Sequence, residues 1–434
     1  MGSVWINDAP RVQFEPLKGD KSTDVLIVGG GIAGVLCAYI LKNSGVDCIL
    51  LEADRIFGGV TGNTTAKITF CHSLIYDRLI SSVGFNRAHL YLEAQSEALK
   101  EYENLARNID CDYEKKVSFV YSLSSRSRIE KEIDALCRLG VKAEFARDIE
   151  LPFKVSGAVR VENQAQFNPL KFLYTLSHDL PIYENTKVLE IMPNAAVTQY
   201  GKVKCKKMII ATHFPILNKH GGYFLKMYQH RSYVLALEGA APVDGMYVDE
   251  ADDGLSFRSY RNLLLLGGGG HRTGKKGGSY GELERLAAKY HKNAKIVGRW
   301  ATQDCITLDG MPYIGQYSPR TPDLFVATGF NKWGMSSSMV AARLLCDAIE
   351  GKSNRYSEIF APNRKMLCGQ LAVNAAESVI SLLTPTVPRC PHLGCALHYN
   401  RAEHSWDCPC HGSRFDENGK LLNNPATADK KIKK

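Results

Sequence analysis

The C-terminal end of the chain concentrates metal-binding side chains. Cys390-Pro391-His392-Leu393-Gly394-Cys395 is followed by Cys408-Pro409-Cys410-His411-Gly412-Ser413. Read as C-x-H and C-x-x-H, the two loops offer two thiolates, Cys390 and Cys408, and two imidazoles, His392 and His411. Thiolate is a soft donor and imidazole a borderline one, so the set suits an iron–sulfur cluster or a zinc ion. A second chemical signal stands near the other end. Gly29-Gly30-Gly31-Ile32-Ala33-Gly34 fits G-x-G-x-x-G. One glycine makes the tight turn, one lets the backbone approach a pyrophosphate, and one lets a helix pack on a strand. Glu52 follows at 52 − 34 = 18 residues, where a carboxylate can accept hydrogen bonds from ribose hydroxyls. The motif alone does not separate NAD from FAD.

These residues need elements to hold them. Val25-Leu26-Ile27-Val28 reads as a buried parallel strand, an apolar helix runs to Leu41, and Cys48-Ile49-Leu50-Leu51-Glu52 reads as a second strand. The helix N-terminus then faces the phosphates with unbonded N–H groups and the positive end of its dipole. Residues 73–107 carry helical patterning, with Ala88, Leu92, Leu99, Tyr102 and Ala106 on one face. Residues 117–299 alternate short β-rich runs with turns, and residues 206–212 read as another buried strand. Leu324-Phe325-Val326-Ala327 runs into Gly329, and a helix over 336–349 follows. Residues 352–389 read as a connector with one amphipathic helix near 367–382, closed by Pro385 and Pro388.

Composition sets the class. The chain has 434 residues, 45% hydrophobic and 23% charged, which excludes a wholly disordered, collagen-like or small disulfide-scaffold protein. The charge of 54 − 45 = +9 is mild for this length, and the closing Lys430–Lys434 tail supplies four of it, so no nucleic-acid partner is expected. Nine of the 13 cysteines are scattered singly, as in reduced interiors. Residues 1–24 hold no apolar segment of signal-peptide type. Glycines interrupt the longest apolar run, Val25–Leu41, so no transmembrane segment is expected and the reading is a cytoplasmic protein.

Asp309-Gly310-Met311-Pro312-Tyr313-Ile314-Gly315 and Ala327-Thr328-Gly329-Phe330-Asn331-Lys332-Trp333-Gly334-Met335, together with the fingerprint, resemble the FAD-dependent D-amino-acid-oxidase-like superfamily (the DAO family) over about 21–350. The resemblance implies Gly29, Gly31, Gly34 and Glu52 at the ADP half of FAD. It implies Thr65 and Ala66 near the ring, and Gly329, Lys332, Gly334 and Met335 at its pyrimidine edge. Some relatives attach the flavin covalently, for which Cys71-His72 and Cys305 are candidates beside the plain reading as interior groups. The C-terminal loops resemble those of Rieske [2Fe-2S] proteins, with Cys390, His392, Cys408 and His411 as ligands. Two neutral imidazoles in place of thiolates raise the potential to about −150 to +300 mV. Cys395 and Cys410 match the cysteines that form a disulfide in the respiratory type, with a dithiol as the alternative. The resemblance also places Ser413 by a bridging sulfide, and Phe415 where high-potential relatives carry a donor Tyr, which implies a potential below the top of that range. Thr61-Gly62-Asn63-Thr64-Thr65-Ala66-Lys67-Ile68-Thr69, residues 164–171, 211–215 and 267–275 are similar to bacterial DAO-type flavoproteins that carry a C-terminal Rieske module.

The expected architecture is α/β + β. A Rossmann-like FAD-binding domain (21–80, 150–215 and 300–351) follows an N-terminal arm (1–20) and carries an inserted α+β substrate domain (81–149 and 216–299). A connector (352–388) leads to a shortened Rieske module (389–434), which is expected to lean on the flavoprotein body. The expected activity is oxidation of a small amine or amino acid, less readily of a C–O bond. Hydride passes to flavin N5, and electrons then leave singly through the cluster to a carrier such as ferredoxin or a quinone. Arg258, Tyr260, His271 and Lys332 are the catalytic candidates, with Arg231, Tyr233 and Arg272 as further substrate contacts; Arg can clamp a carboxylate and Tyr can orient it. His213 and His230 read as structural. The alternative is an electron-transfer protein or redox sensor with no dedicated substrate. A reductase running the other way is a third reading. A Rieske oxygenase is disfavoured because no mononuclear-iron triad accompanies the cluster.

Overall fold

A computed structural model describes residues 2–10, 12–364 and 388–430. The helix expected near 367–382 and the last four residues of the basic tail lie outside the described residues.

The β-branched run at Lys21–Val28 pairs in parallel with Cys48–Leu51 on one side and Lys202–Ile210 on the other. These strands belong to an eight-stranded sheet, which continues through Leu324–Thr328 to Tyr313–Gln316 at one edge and Ile182–Tyr183 at the other. The first helix after the fingerprint, Ile32–Asn43, and the late helix Gly334–Ile349 pack against each other on this sheet. Both are buried over most of their surface, because each lies between the sheet and the helix Phe85–Ala106 or its neighbours. The helical stretch read over 73–107 is two helices, Tyr76–Val83 and Phe85–Ala106, broken at Gly84.

A nine-stranded sheet forms the second layer, in the order Lys295–Thr307, Met227–Glu238, Leu263–Arg272, Ser256–Tyr260, Met246–Asp249, Glu114–Ser122, Gly157–Gln166 and Lys67–Ile68, with Ala143–Ala146 alongside. Gly157–Gln166 and residues 300–307 therefore pair in this sheet, although the sequence reading groups them with the nucleotide-binding segments. Four helices interrupt the β-rich region, one of them the single turn Tyr223–Lys226. Arg126–Arg138 buries Ile129, Glu132, Ala135 and Leu136 on one face, and Pro169–Ser177 begins at an Asn168 cap with proline in its first turn. Tyr280–Tyr290 covers the outer face of the sheet through Leu283 and Ala287. No helix among the described residues is long and apolar enough to cross a membrane.

The C-terminal unit is an antiparallel meander of four three-residue strands: His398–Asn400, Ser405–Asp407, Arg414–Asp416 and Leu421–Asn423. The N-terminal arm is tied in. Its short helix Val4–Asp8 buries Trp5 completely against the body.

Candidate functional site

The fingerprint glycines are held by close backbone approach. A Cβ on Gly34 would lie 2.0 Å from the Gly29 carbonyl oxygen, and one on Gly29, at φ +113°, would lie 2.5 Å from that of Ala211. No side chain fits either place. Gly31, by contrast, faces open space apart from Thr61 Oγ1 at 3.4 Å. Thr61 accepts the Ile32 N–H, and Glu52 accepts the N–H groups of Gly30 (2.7 Å) and Asp54 (2.9 Å). Burial pushes the Glu52 carboxyl up, and the two N–H groups oppose that shift. Each Glu52 oxygen keeps a lone pair for a ribose hydroxyl. The remaining N–H groups of the first turn are directed at the phosphate position. These residues fit the ADP half of FAD.

Thr65 and Ala66 sit in a loop whose carbonyls are turned away and engaged one after another. Trp300 Nε1 donates to Asn63 O (3.0 Å), Trp5 Nε1 to Thr64 O (2.7 Å), and Arg258 Nη1 to both Thr65 O and Ala66 O (2.8 Å each). Four consecutive carbonyls are thus each engaged by a buried side-chain donor, and Thr65 lines the cavity described below. Opposite, the segment 329–332 follows its strand with φ values of +72° at Gly329, +52° at Asn331 and +71° at Lys332. Non-glycine residues in this region carry strain, which the surrounding contacts must offset. Asn331 offsets it by donating to Gly329 O and accepting from Thr307 N and Oγ1. Gly334 and Met335 then open the helix Gly334–Ile349, so its N-terminus points to the same place.

A cavity of about 900 Å³ opens between these two segments. Thr65, Lys67, Arg78, Asp304, Lys332 and Trp333 are among the side chains that line it. Lys332 Nζ donates to the carbonyl of Asp252 (3.0 Å), which fastens the loop 249–254 over the cavity, and burial pulls the ammonium down. Lys67 Nζ has Thr65 Oγ1 at 3.3 Å, and burial beside Arg258 lowers its pKa to about 7. Asp304 is pushed up to about 6 by burial. The sequence reading missed Lys67 and Asp304. The only signal for Lys67 is a lone lysine that ends a run of small residues before an apolar position.

Of the catalytic candidates, only Lys332 lines this cavity. Arg258 is fully buried and holds the 65–66 carbonyls, with its guanidinium against the Trp5 ring. Tyr260 is bound to Asp8, Asp112 and Asn168, where it anchors the arm. His271 stacks on Tyr233 with ring centroids 5.8 Å apart. Arg231 and Arg272 point to the C-terminal unit: Arg231 pairs with Glu403, and Arg272 donates to the carbonyls of Pro409 and Cys410. These five residues make structural or interfacial contacts in this structure, and none of them lines the cavity. His72 is bonded to Tyr91, Thr69 and Ser336, and its pKa falls to about 3 through burial, so its ring nitrogens are occupied. Cys71 and Cys305 are buried and do not line the cavity. His213 and His230 are also held neutral by burial, at about 4 and about 3.

The C-terminal loops are built alike. Cys390 N donates to Cys395 O (2.8 Å) and Gly394 N to Cys390 O (2.9 Å). In the second loop Cys408 N donates to Ser413 O (2.8 Å) and Gly412 N to Cys408 O (3.0 Å). Gly394 and Gly412, at φ +80° and +85°, turn the two loops back. Cys390 and Cys408 are buried, and the Nδ1 atoms of His392 and His411 are buried without a hydrogen-bond partner. Buried unpaired acceptors are rare and call for an explanation. Two such imidazole nitrogens beside two buried thiols fit a cluster ligated by Cys390, His392, Cys408 and His411. Cys395 and Cys410 are not joined by a disulfide in this structure; their sulfurs and that of Cys408 lie within 4.8 Å of one another. Phe415 is completely buried beneath the loops, and Ser413 Oγ accepts the Ala426 N–H.

Comparison with known proteins agrees with both halves. The model of the FAD dependent oxidoreductase (DAO) family matches residues 24–348, and that of the Rieske [2Fe-2S] domain matches 381–433. The Rieske 2Fe-2S iron-sulfur protein YhfW of Bacillus subtilis (strain 168) is 33% identical, over 98% of this chain and 96% of its own. The gamma-glutamylputrescine oxidoreductase of Escherichia coli (strain K12) is 24% identical over 79% of this chain and 87% of its own. In fold, glycine oxidase from Geobacillus kaustophilus superposes with a TM-score of 0.68 at 18% identity, over 80% of this chain and 100% of its own. The chain belongs to the FAD dependent oxidoreductase (DAO) family, as an oxidoreductase that binds FAD and carries a Rieske [2Fe-2S] domain.

Proposed function

We propose that the protein oxidises the C–N bond of a small amine or amino acid and passes the electrons singly to a carrier outside the chain, such as a ferredoxin or a quinone. When bound, FAD supplies the hydride acceptor and the [2Fe-2S] cluster a one-electron acceptor. The carrying observation is the cavity that joins Thr65 and Lys332 to Lys67, Arg78 and Asp304. Its charges of both signs suit a substrate with a basic nitrogen and a polar or anionic end. Lys67 Nζ, lowered to about 7, is partly neutral at neutral pH and can take a proton from a substrate ammonium. That step leaves the nitrogen lone pair available as the C–H bond breaks. Arg78 and Lys332 can hold an anionic substrate group, and the loop 249–254 limits water access. The named activity of the Escherichia coli relative, on a substituted diamine, supports an amine.

Anaerobic mixing with a panel of amines, amino acids and hydroxy acids tests this. Bleaching of the flavin absorption, followed by the reduced-cluster EPR signal, is expected for at least one amine or amino acid. Absence of bleaching with every compound, alongside rapid exchange with a ferredoxin or quinone analogue, favours an electron carrier without a substrate. We also propose that Cys395 and Cys410 close a disulfide over the cluster in the mature protein. Alkylation of both thiols under denaturing, non-reducing conditions excludes it. A cytoplasmic location is part of the same reading, since the scattered buried thiols suit a reducing compartment.

A further inference from the structure

One pair of strands has the candidate flavin cavity on one face and the Rieske module on the other. Met227–Glu238 and Lys295–Thr307 are antiparallel neighbours, with Tyr228 opposite Ile306, Gln229 opposite Cys305 and Arg231 opposite Gln303. Side chains alternate across a strand. Here Tyr228, Thr302, Asp304 and Ile306 line the flavin-side cavity. Their neighbours Gln229, Arg231 and Gln303 point the other way, onto the Rieske module.

The contact on that second face is a closed chain of amides. Gln229 Nε2 donates to His411 O (2.9 Å) and to Asn424 O (2.8 Å). Gln303 Nε2 donates to Gly412 O (2.8 Å) and to Gln229 Oε1, while Gln303 Oε1 accepts from Thr273 Oγ1 (3.1 Å). Both glutamines are 1% exposed, and each donor hydrogen has an acceptor. The surfaces also interlock. A Cβ on Gly412 would lie 2.5 Å from Gln229 Cβ, and one on Gly274 would lie 2.5 Å from Pro409 N. Each partner has a glycine where the other presses in. A buried contact with full polar satisfaction and no room for a methyl group holds one fixed arrangement.

We propose that this strand pair is the electron path between the two cofactors, and that Gln229 and Gln303 are positioning residues that hold the His411 loop against it. The inference rests on the two-cofactor reading above and deepens it. With both cofactors bound, each passage would take one electron from the reduced flavin and reduce one ferric ion of the cluster to ferrous, and the reduced flavin's proton would be given up to a base or water in the cavity. A one-electron carrier outside the chain reoxidises the cluster before the second passage.

The test is rapid anaerobic photoreduction of the flavin in the full-length holoprotein, followed at the cluster absorption and by EPR of rapidly frozen samples. No substrate is involved, so the result stands even if the amine reading fails. A first-order rise at the cluster, independent of protein concentration, is expected. The rise should be slower by about tenfold or more in Gln229→Leu and Gln303→Leu with flavin and iron content retained, in line with other residues that orient a metal ligand. A wild-type rate proportional to protein concentration overturns the proposal, as do unchanged rates in both variants. If the leucine variants lose the cluster, Thr273→Val removes only the hydroxyl at the end of the chain. A smaller slowing supports the proposal there, and an unchanged rate overturns it.

Discussion

The nucleotide fingerprint and the cluster loops are both glycine-bearing turns, yet they are supported by different physics. The fingerprint lies between a sheet and two buried helices, in a large aliphatic interior that includes Val25, Ile27, Leu36 and Leu345. The C-terminal unit's own apolar cluster holds seven buried residues, and four of these are the cysteines Cys390, Cys395, Cys408 and Cys410. So small a unit buries too little apolar surface to be stable alone. Its support is polar and borrowed. Glu403 lies between Arg231 of the body and Arg414 of the module, Asp407 completes the group, and Asn424 reaches Thr212 O and Phe214 O in the loop after the strand Lys202–Ile210. This difference predicts a body that stands without the module, and a module that depends on both its cluster and the body.

Gly34→Val should break the whole molecule, because the new side chain meets the Gly29 carbonyl at 2.0 Å. Flavin and iron analysis of the purified protein should find neither cofactor; a variant that keeps the cluster contradicts the dependence. Cys408→Ser should do the reverse and lose iron while keeping one flavin per chain, read from the visible spectrum and metal content. Loss of flavin as well would remove the asymmetry. Arg231→Met leaves Glu403 buried with one cation fewer and should destabilise the docked module by about 3 kcal/mol. Urea titration followed at the cluster absorption should shift more than the flavin fluorescence transition. The smallest effect is expected in the cavity on the other face of the strand pair. Lys67 is charged below about pH 7 and neutral above it, so anaerobic flavin reduction by an active amine should rise with pH through about 7. Lys67→Met should lower the plateau by about 10²-fold and flatten that rise. A variant that keeps the wild-type profile removes Lys67 as the proton acceptor.

Much of this was legible in the residues. Glycines at 29, 31 and 34, an acid at 52 and the four cluster ligands are short-range patterns fixed by covalent spacing. The arginines were not readable in the same way. Arg231, Arg258 and Arg272 alternate on strands as substrate clamps would, but alternation reports a face and not what covers it. Arg258 faces the underside of a loop nearly two hundred positions away in sequence, and Arg231 faces a module that arrives only after the chain has crossed the connector. Lys67 and Asp304 were missed because each is a single charged residue, and only the assembled cavity makes it unusual. The glutamine pair has no motif either, since its partners are backbone carbonyls.

The four engaged carbonyls at 63–66 have a consequence for assembly order. Their donors come from positions 5, 258 and 300, so the loop cannot reach its final shape until the first residues have met strands formed far later in the chain. Contacts of such sequence separation form late in folding. An N-terminal deletion that removes Trp5 then acts on this distant loop directly, by taking away the donor to Thr64 O.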